Sequence, residues 1–157
     1  MRRASVENST RKSGVKTPRL RNVLELCLEA TDYKDYTVHL SVVSDLEIRE
    51  LNREWRNKDK PTDVLSFSQL ERVDEELSFA EVFPGPKPLG DIVISFETAS
   101  CQAQQIGHSL DDEYLRLIVH GFLHLLGHDH VHGGRQAAKM KREEDRLLSY
   151  IGAHLDA

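Results

Sequence analysis

Residues 119–130 read VHGFLHLLGHDH, which places histidines at 120, 124 and 130 and a glycine at 127. The pattern H-x-x-x-H-x-x-G-x-x-H has the spacing of a zinc-hydrolase helix followed by a turn. On a helix, His120 and His124 differ by about 40° in direction and one turn in height, so both imidazoles can face one point. Gly127 accepts the positive-φ conformation that a helix stop often needs. The chain after it can then carry His130 back to the same point. Three nitrogen ligands with a fourth position open to water is the layout of a catalytic zinc site. Imidazole also suits other divalent transition metals, so one Zn2+ is the expectation and not a deduction.

The surrounding segment DEYLRLIVHGFLHLL (112–126) is apolar almost all round, which predicts a buried helix opened by Asp111 or Asp112. Unpaired imidazoles in such a helix are costly, and this favours metal binding over a surface role for the histidines. Zinc peptidases of this spacing carry Glu directly after the first His as a general base, but here that residue is Gly121. Glycine inside a helix costs about 1 kcal/mol relative to Ala. That cost implies room for a neighbour's backbone or for a substrate, and it disfavours peptide hydrolysis by the usual route. Phosphodiester chemistry stays open, because a metal can activate water and polarise a phosphoryl oxygen. His128 is either a substrate-facing group in the turn or an exposed loop residue. Asp129 is a candidate acceptor for the N–H of a ligand histidine.

Outward from this segment, YTVHLSVV (36–43), TDVLSFS (62–68) and LGDIVIS (89–95) read as strands, the last one central. Helices are expected over 18–30, after the capping pair Ser44 and Glu47, over about 97–107 ending at Gly107, and over roughly 135–151. Leu46, Ile48, Leu51 and Trp55 form an approximate core stripe on the second of these. Residues 71–88, acidic and carrying Pro and Gly, read as a loop or irregular hairpin. The expected fold class is α/β (α+β), a single domain with a small mixed β-sheet and helices packed on it.

The 157 residues are 39% hydrophobic and 30% charged, which suits a globular protein with a real core. No run approaches the roughly 18 apolar residues of a membrane span, and the start lacks a signal-peptide core. Cys27 and Cys101 make no disulfide framework and are expected to pack in or near the core of a cytoplasmic protein. The formal net charge of −5 argues against blanket attraction to nucleic acid. Residues 1–21, however, hold seven Lys and Arg against Glu7 alone. Residues 1–20 are therefore read as a basic, flexible segment preceding one domain over 21–157, with a polyanion-binding arm as the functional alternative.

The segment REWRNKDK (53–60) gathers Arg53, Arg56, Lys58 and Lys60 at a helix exit. The helix dipole favours such a cluster anyway, but the planar fork of Arg also matches phosphate oxygens at two points. HGFLHLLGHDH (120–130) resembles the signature of the YbeY family of bacterial rRNA-maturation endoribonucleases. LNREWRNKDKPTDVLSF (51–67) and LGDIVIS (89–95) are similar to two further blocks of that family. The resemblance covers roughly residues 38–150 and extends nothing to residues 1–20.

The resemblance implies a metal-dependent endoribonuclease specific for single strands, acting in maturation of the small-subunit rRNA 3′ end and in ribosome quality control. It puts the metal ligands on His120, His124 and His130 and the functional arginine on Arg56. Position 128 is often Tyr in relatives and is His here. The proton acceptor stays open between metal-activated water without a separate base, His128, and attack by the RNA's own 2′-OH. Expected partners are single-stranded RNA, rRNA and the ribosome or its small subunit, with no membrane and an unread oligomeric state. Two competing classes are a metallohydrolase of another substrate, such as a peptide, and a non-catalytic ribosome-assembly or RNA-binding factor with a structural metal.

Overall fold

The structure, a computed structural model, describes residues 3–12, 14–70, 85–128 and 134–155. In chain order, Ala4–Asn8 forms β1, Thr17–Glu29 α1, Tyr36–Val43 β2, Asp45–Arg56 α2 and Val64–Ser68 β3. Lys87–Ser95 then forms β4, Phe96–Ile106 α3, Leu110–Leu125 α4 and Gly134–His154 α5.

The four strands make one sheet in the order β1-β2-β4-β3. β1, β2 and β4 run parallel, and β3 is antiparallel to β4. This is the expected small mixed sheet, with the apolar strand β4 inside it. Its main face carries Val38, Leu40, Ile92 and Ile94 into a core with Leu24 of α1 and Phe122 of α4. The other face is smaller, where Val43, Leu65 and Val93 meet Ile48 of α2. α4 packs against β3 and β4 on one side and α1, α3 and α5 on others. That enclosure explains why its sequence is apolar nearly all round.

Four expectations change. Residues 4–8, read as part of a basic flexible segment, instead form β1, paired in register with residues 38–42 of β2. The nearby cations are drawn into ion pairs, Lys16 with Asp111 at 3.0 Å and Arg3 with Asp35 at 3.9 Å. Alternation in ASVEN is weak over five residues, so the strand was masked by its charged neighbours. α4 begins earlier than expected and is capped by Ser109, whose Oγ accepts from Asp112 N–H at 3.0 Å. Leu46 and Trp55 are 66% and 62% exposed, so the stripe on α2 is core only around Ile48. The face of the sheet that α2 covers is too small to reach either end of the helix. Cys27 is fully buried, and burial pushes its thiol up to about 12, whereas Cys101 is exposed. The segment 71–84 lies outside the described residues.

β3 is an edge strand. Ser95 N–H donates to Asp63 O at 3.0 Å, and Gln69 N–H donates to Leu89 O at 2.9 Å. The alternation of an antiparallel ladder therefore turns the backbone of Val64, Ser66 and Ser68 outward.

Candidate functional site

The buried helix α4 puts both its histidines on the wall of an open cleft of about 1240 Å³, which Trp55, Arg56, Lys58 and Arg116 also line. The Nε2 atoms of His120 and His124 stand 3.0 Å apart, with ring centroids at 4.5 Å. Two imidazole nitrogens bound to one zinc ion in tetrahedral geometry stand about 3.3 Å apart. The pair is thus close to ligand spacing. Nδ1 of His120 lies 3.3 Å from Oε1 of Glu144, on α5. With its proton on Nδ1, His120 donates to that carboxylate and turns a lone pair on Nε2 toward His124. A carboxylate in this place is the usual partner of a metal-binding imidazole.

The helix stops where the sequence predicts. Gly127 has φ of 93°, its N–H donates to His124 O, and His128 N–H donates to Leu123 O, each at 3.0 Å. These two bonds are those of a Schellman motif, and they satisfy carbonyls that the helix end leaves open. His128 follows this turn half-buried. Burial holds its pKa below the ordinary histidine value, Lys139 adds to the effect, and Glu143 opposes it. His128 is not among the residues lining the cleft. His130, Asp129 and His132 lie outside the described residues. Among the described residues no group of three or more His, Cys, Asp or Glu could hold a metal.

Arg56 is the last residue of α2, and Asn57, in the left-handed conformation at φ 60°, ends the helix there. The buried Asn52 folds the following segment back, its Nδ2 donating to Lys60 O at 2.9 Å. Arg56 Nη2 donates to Ser66 O at 2.6 Å, and its guanidinium carbon lies 5.3 Å from the centre of the Phe67 ring. One donor of the fork is therefore spent on the outward carbonyl of β3, and this fixes the plane of the group at the cleft wall. Thr62 and Asp63 behave as strand-entry residues, with Asp63 Oδ1 accepting from Val64 N–H at 2.8 Å.

Gly121 is explained by the sheet. A Cβ there would lie 3.0 Å from Ile92 Cγ2, 3.1 Å from Ser66 Oγ and 3.2 Å from Val64 Cγ2. The expected space for a backbone or a substrate is thus filled by side chains of β3 and β4. Ser66 Oγ and Ser68 Oγ donate to the carbonyls of Gly121 and Leu125, each at 2.9 Å, and so tie the edge strand to the histidine helix.

Two features beside the histidines were not read from the sequence. Glu144 sits in a polar helix without a motif to mark it. Arg116, one turn before His120, donates through Nε and Nη2 to the two oxygens of Glu113 at 2.8 and 2.6 Å. Glu113 has no exposed side chain and also lies 2.8 Å from His108 Nε2. Burial pushes its pKa up, but the hydrogen bonds from Arg116 and His108 outweigh this and hold it below the ordinary glutamate value. The acidic start of α4 disguises this pair as ordinary first-turn charge.

A family model described as endoribonuclease YbeY matches residues 5–152. The chain is 43% identical over 145 residues to endoribonuclease YbeY of Aquifex aeolicus, covering 92% of this chain and 90% of that protein. It is 48% identical over 131 residues to that of Heliobacterium modesticaldum, covering 80% and 77%. A solution structure of a Thermotoga maritima protein shares the fold at a TM-score of 0.60 and 22% identity, covering 98% of this chain and 95% of that one. The family match takes in residues 5–8 of β1 and so extends beyond the 38–150 expected.

Proposed function

We propose, because the chain belongs to the YbeY family of endoribonucleases, that it cuts single-stranded RNA within the chain and matures the 3′ end of small-subunit rRNA. The observation that carries this reading is the convergence of His120 and His124, Nε2 to Nε2 at 3.0 Å, in one cleft with Arg56. No helix among the described residues is long and apolar enough to cross a membrane. Ribosome association and a cytoplasmic setting belong to the same proposal.

The donor set fits a divalent transition metal, zinc by preference: two imidazoles near ligand spacing, one of them backed by a carboxylate. His120 and His124 would hold it, with His130 as the third ligand. When bound, such an ion supplies Lewis acidity toward a phosphoryl oxygen and a lowered pKa for water. The protein's own groups do the rest. Glu144 keeps the Nδ1 proton of His120 in place, so that Nε2 stays a donor of electrons. Arg56 meets the scissile phosphate with a fork already oriented by Ser66 O and counters the charge that grows on its oxygens. His128, which does not itself line the cleft, would accept the proton in its neutral form.

A peptidase reading loses support at Gly121, where the packing of Ile92, Ser66 and Val64 leaves no room for a glutamate. The open cleft favours an enzyme over a factor with a purely structural metal. The test is metal analysis of the purified protein, joined to cleavage of an unstructured RNA by wild type and the His120→Ala and Arg56→Ala variants. Product ends then identify the attacking group, since 2′-OH attack gives a 2′,3′-cyclic phosphate first. Cleavage by both variants at the wild-type rate overturns the site. A preparation free of metal that still cuts overturns the ligands.

A further inference from the structure

Helix α2 carries an apolar stripe through Ile48, Leu51 and Trp55, yet only its first member is fully buried. Trp55 lies on the last turn of the helix, where α2 runs out beside the edge strand β3, and 62% of it stays exposed. Its ring meets Phe67 edge to face, with centroids 6.3 Å apart and planes at 71°. Phe67 is only partly buried and also lies under the Arg56 guanidinium. Three large apolar side chains among the described residues are exposed, namely Leu46, Trp55 and Ile106, and of these only Trp55 lines the cleft.

The setting selects the ligand. Arg56 and Lys58 line the same cleft as the indole, as do Arg116, already paired with Glu113, and the acids Asp63 and Asp91. Arg53 and Lys60 are exposed on the same stretch of chain as Trp55. Of the two acids within that stretch, Asp59 is taken up by Arg49 at 2.9 Å, and Glu54 is exposed. Cations beside an open aromatic face are the combination that single-stranded nucleic acid uses: phosphates take the charge and a base takes the ring. A paired base stacks within its duplex and has no face to give. Trp55 and Arg56 are consecutive at a helix end, so a base on one would bring its own backbone to the other. The edge strand β3 lies beside them, its outward Ser66 carbonyl holding Arg56 and its outward Val64 N–H held by Asp63.

We propose that Trp55, backed by Phe67, is a stacking platform for one unpaired RNA base and a determinant of selectivity for single strands. The proposal rests on the endoribonuclease reading and extends it to how the cleft tells unpaired from paired RNA. The phosphate-binding Arg56 and the histidines do not supply that distinction, because a duplex presents phosphates too.

Trp55 is the one tryptophan in the chain, so intrinsic indole fluorescence reports this position alone. Full-length protein is titrated with a 2′-O-methyl RNA of about eight nucleotides, within the usual site size for such grooves, and with the same sequence in a duplex. Saturable quenching or shift by the single strand and little response to the duplex is the expected result. In cleavage, Trp55→Ala raises KM for unstructured RNA between about fivefold and a hundredfold, the range for loss of one stacked base. Its kcat stays within about a factor of two, its preference for single over double strands narrows, and Trp55→Phe recovers most of the KM. Wild-type cleavage without any indole response, together with unchanged KM and selectivity in Trp55→Ala, overturns the platform and leaves the nuclease reading standing. An indole response without cleavage keeps the platform and overturns the nuclease reading, and neither signal overturns both. Should Trp55→Ala fold poorly, the indole titration and the KM of Trp55→Phe decide.

Discussion

Ser66 and Gly121 are locked together: the serine hydroxyl donates to the glycine carbonyl at 2.9 Å, and a Cβ on the glycine would come within 3.1 Å of that same oxygen. The contact holds the edge strand against the helix that carries His120 and His124. Gly121→Ala gains about 1 kcal/mol in helix propensity but crowds Ile92, which is fully buried. Overpacking of this kind costs about 1–3 kcal/mol, so the variant is expected to be less stable by about 1 kcal/mol net. Gly121→Glu, which restores the peptidase pattern, is expected to lose far more and to gain no peptidase activity. Urea unfolding midpoints measure both, and a more stable Gly121→Ala refutes the packing argument.

Glu144 Oε1 lies 3.3 Å from His120 Nδ1, a contact that, with the proton on Nδ1, would leave Nε2 for a metal. Loss of such a carboxylate typically weakens metal binding about 10–100-fold. Glu144→Ala is expected in that range and Glu144→Gln nearer wild type, since the amide oxygen can still accept. Competition with a chromogenic chelator reads the affinity without any RNA present. Equal affinity in Glu144→Ala would mean that the carboxylate does not orient the ligand.

These two contacts mark how far the sequence could be read. The histidine helix, its stop at Gly127 and the central β4 were legible because each follows from local pattern, spacing or a single residue's backbone freedom. The mixed sheet was legible as a class, but β1 was not, because five residues inside a basic segment give too little alternation to outweigh their charge. Trp55 was misplaced for a different reason. Periodicity tells which way a side chain points from the helix, and not whether the sheet extends far enough to cover it. Glu144 and the Glu113–Arg116 pair depend on which helices touch in three dimensions, which no local pattern encodes.

The Glu113–Arg116–His108 cluster gives the stability a pH signature. Glu113 has its folded pKa depressed below the unfolded value of about 4.3. Its contribution is therefore fully present above that value and is lost as pH falls through the lower, folded one. Arg116→Ala leaves a fully buried carboxylate with His108 alone, but the arginine is itself 44% exposed, so the expected cost at pH 7 is about 1–2 kcal/mol, below the range for breaking a fully buried pair. Unfolding midpoints of wild type and Glu113→Gln are expected to differ at pH 7 and to converge as the solution is taken below about pH 4. A gap that does not change with pH would show that the carboxylate's charge is not what stabilises the helix start.

Arg56 is held by one donor on Ser66 O and by its stacking over Phe67, so its fork reaches the cleft already oriented. Losing a preorganised group that meets transition-state charge costs about 100- to 1000-fold in rate. Arg56→Ala is expected to lower kcat on single-stranded RNA by that order. Arg56→Lys keeps the charge but not the planar two-point contact, and it is expected to recover only a small part of the rate while restoring most of the binding. The split between kcat and KM in the two variants separates transition-state contact from general attraction. If Arg56→Lys restores kcat fully, charge alone suffices and the fork geometry set by Ser66 has no catalytic consequence.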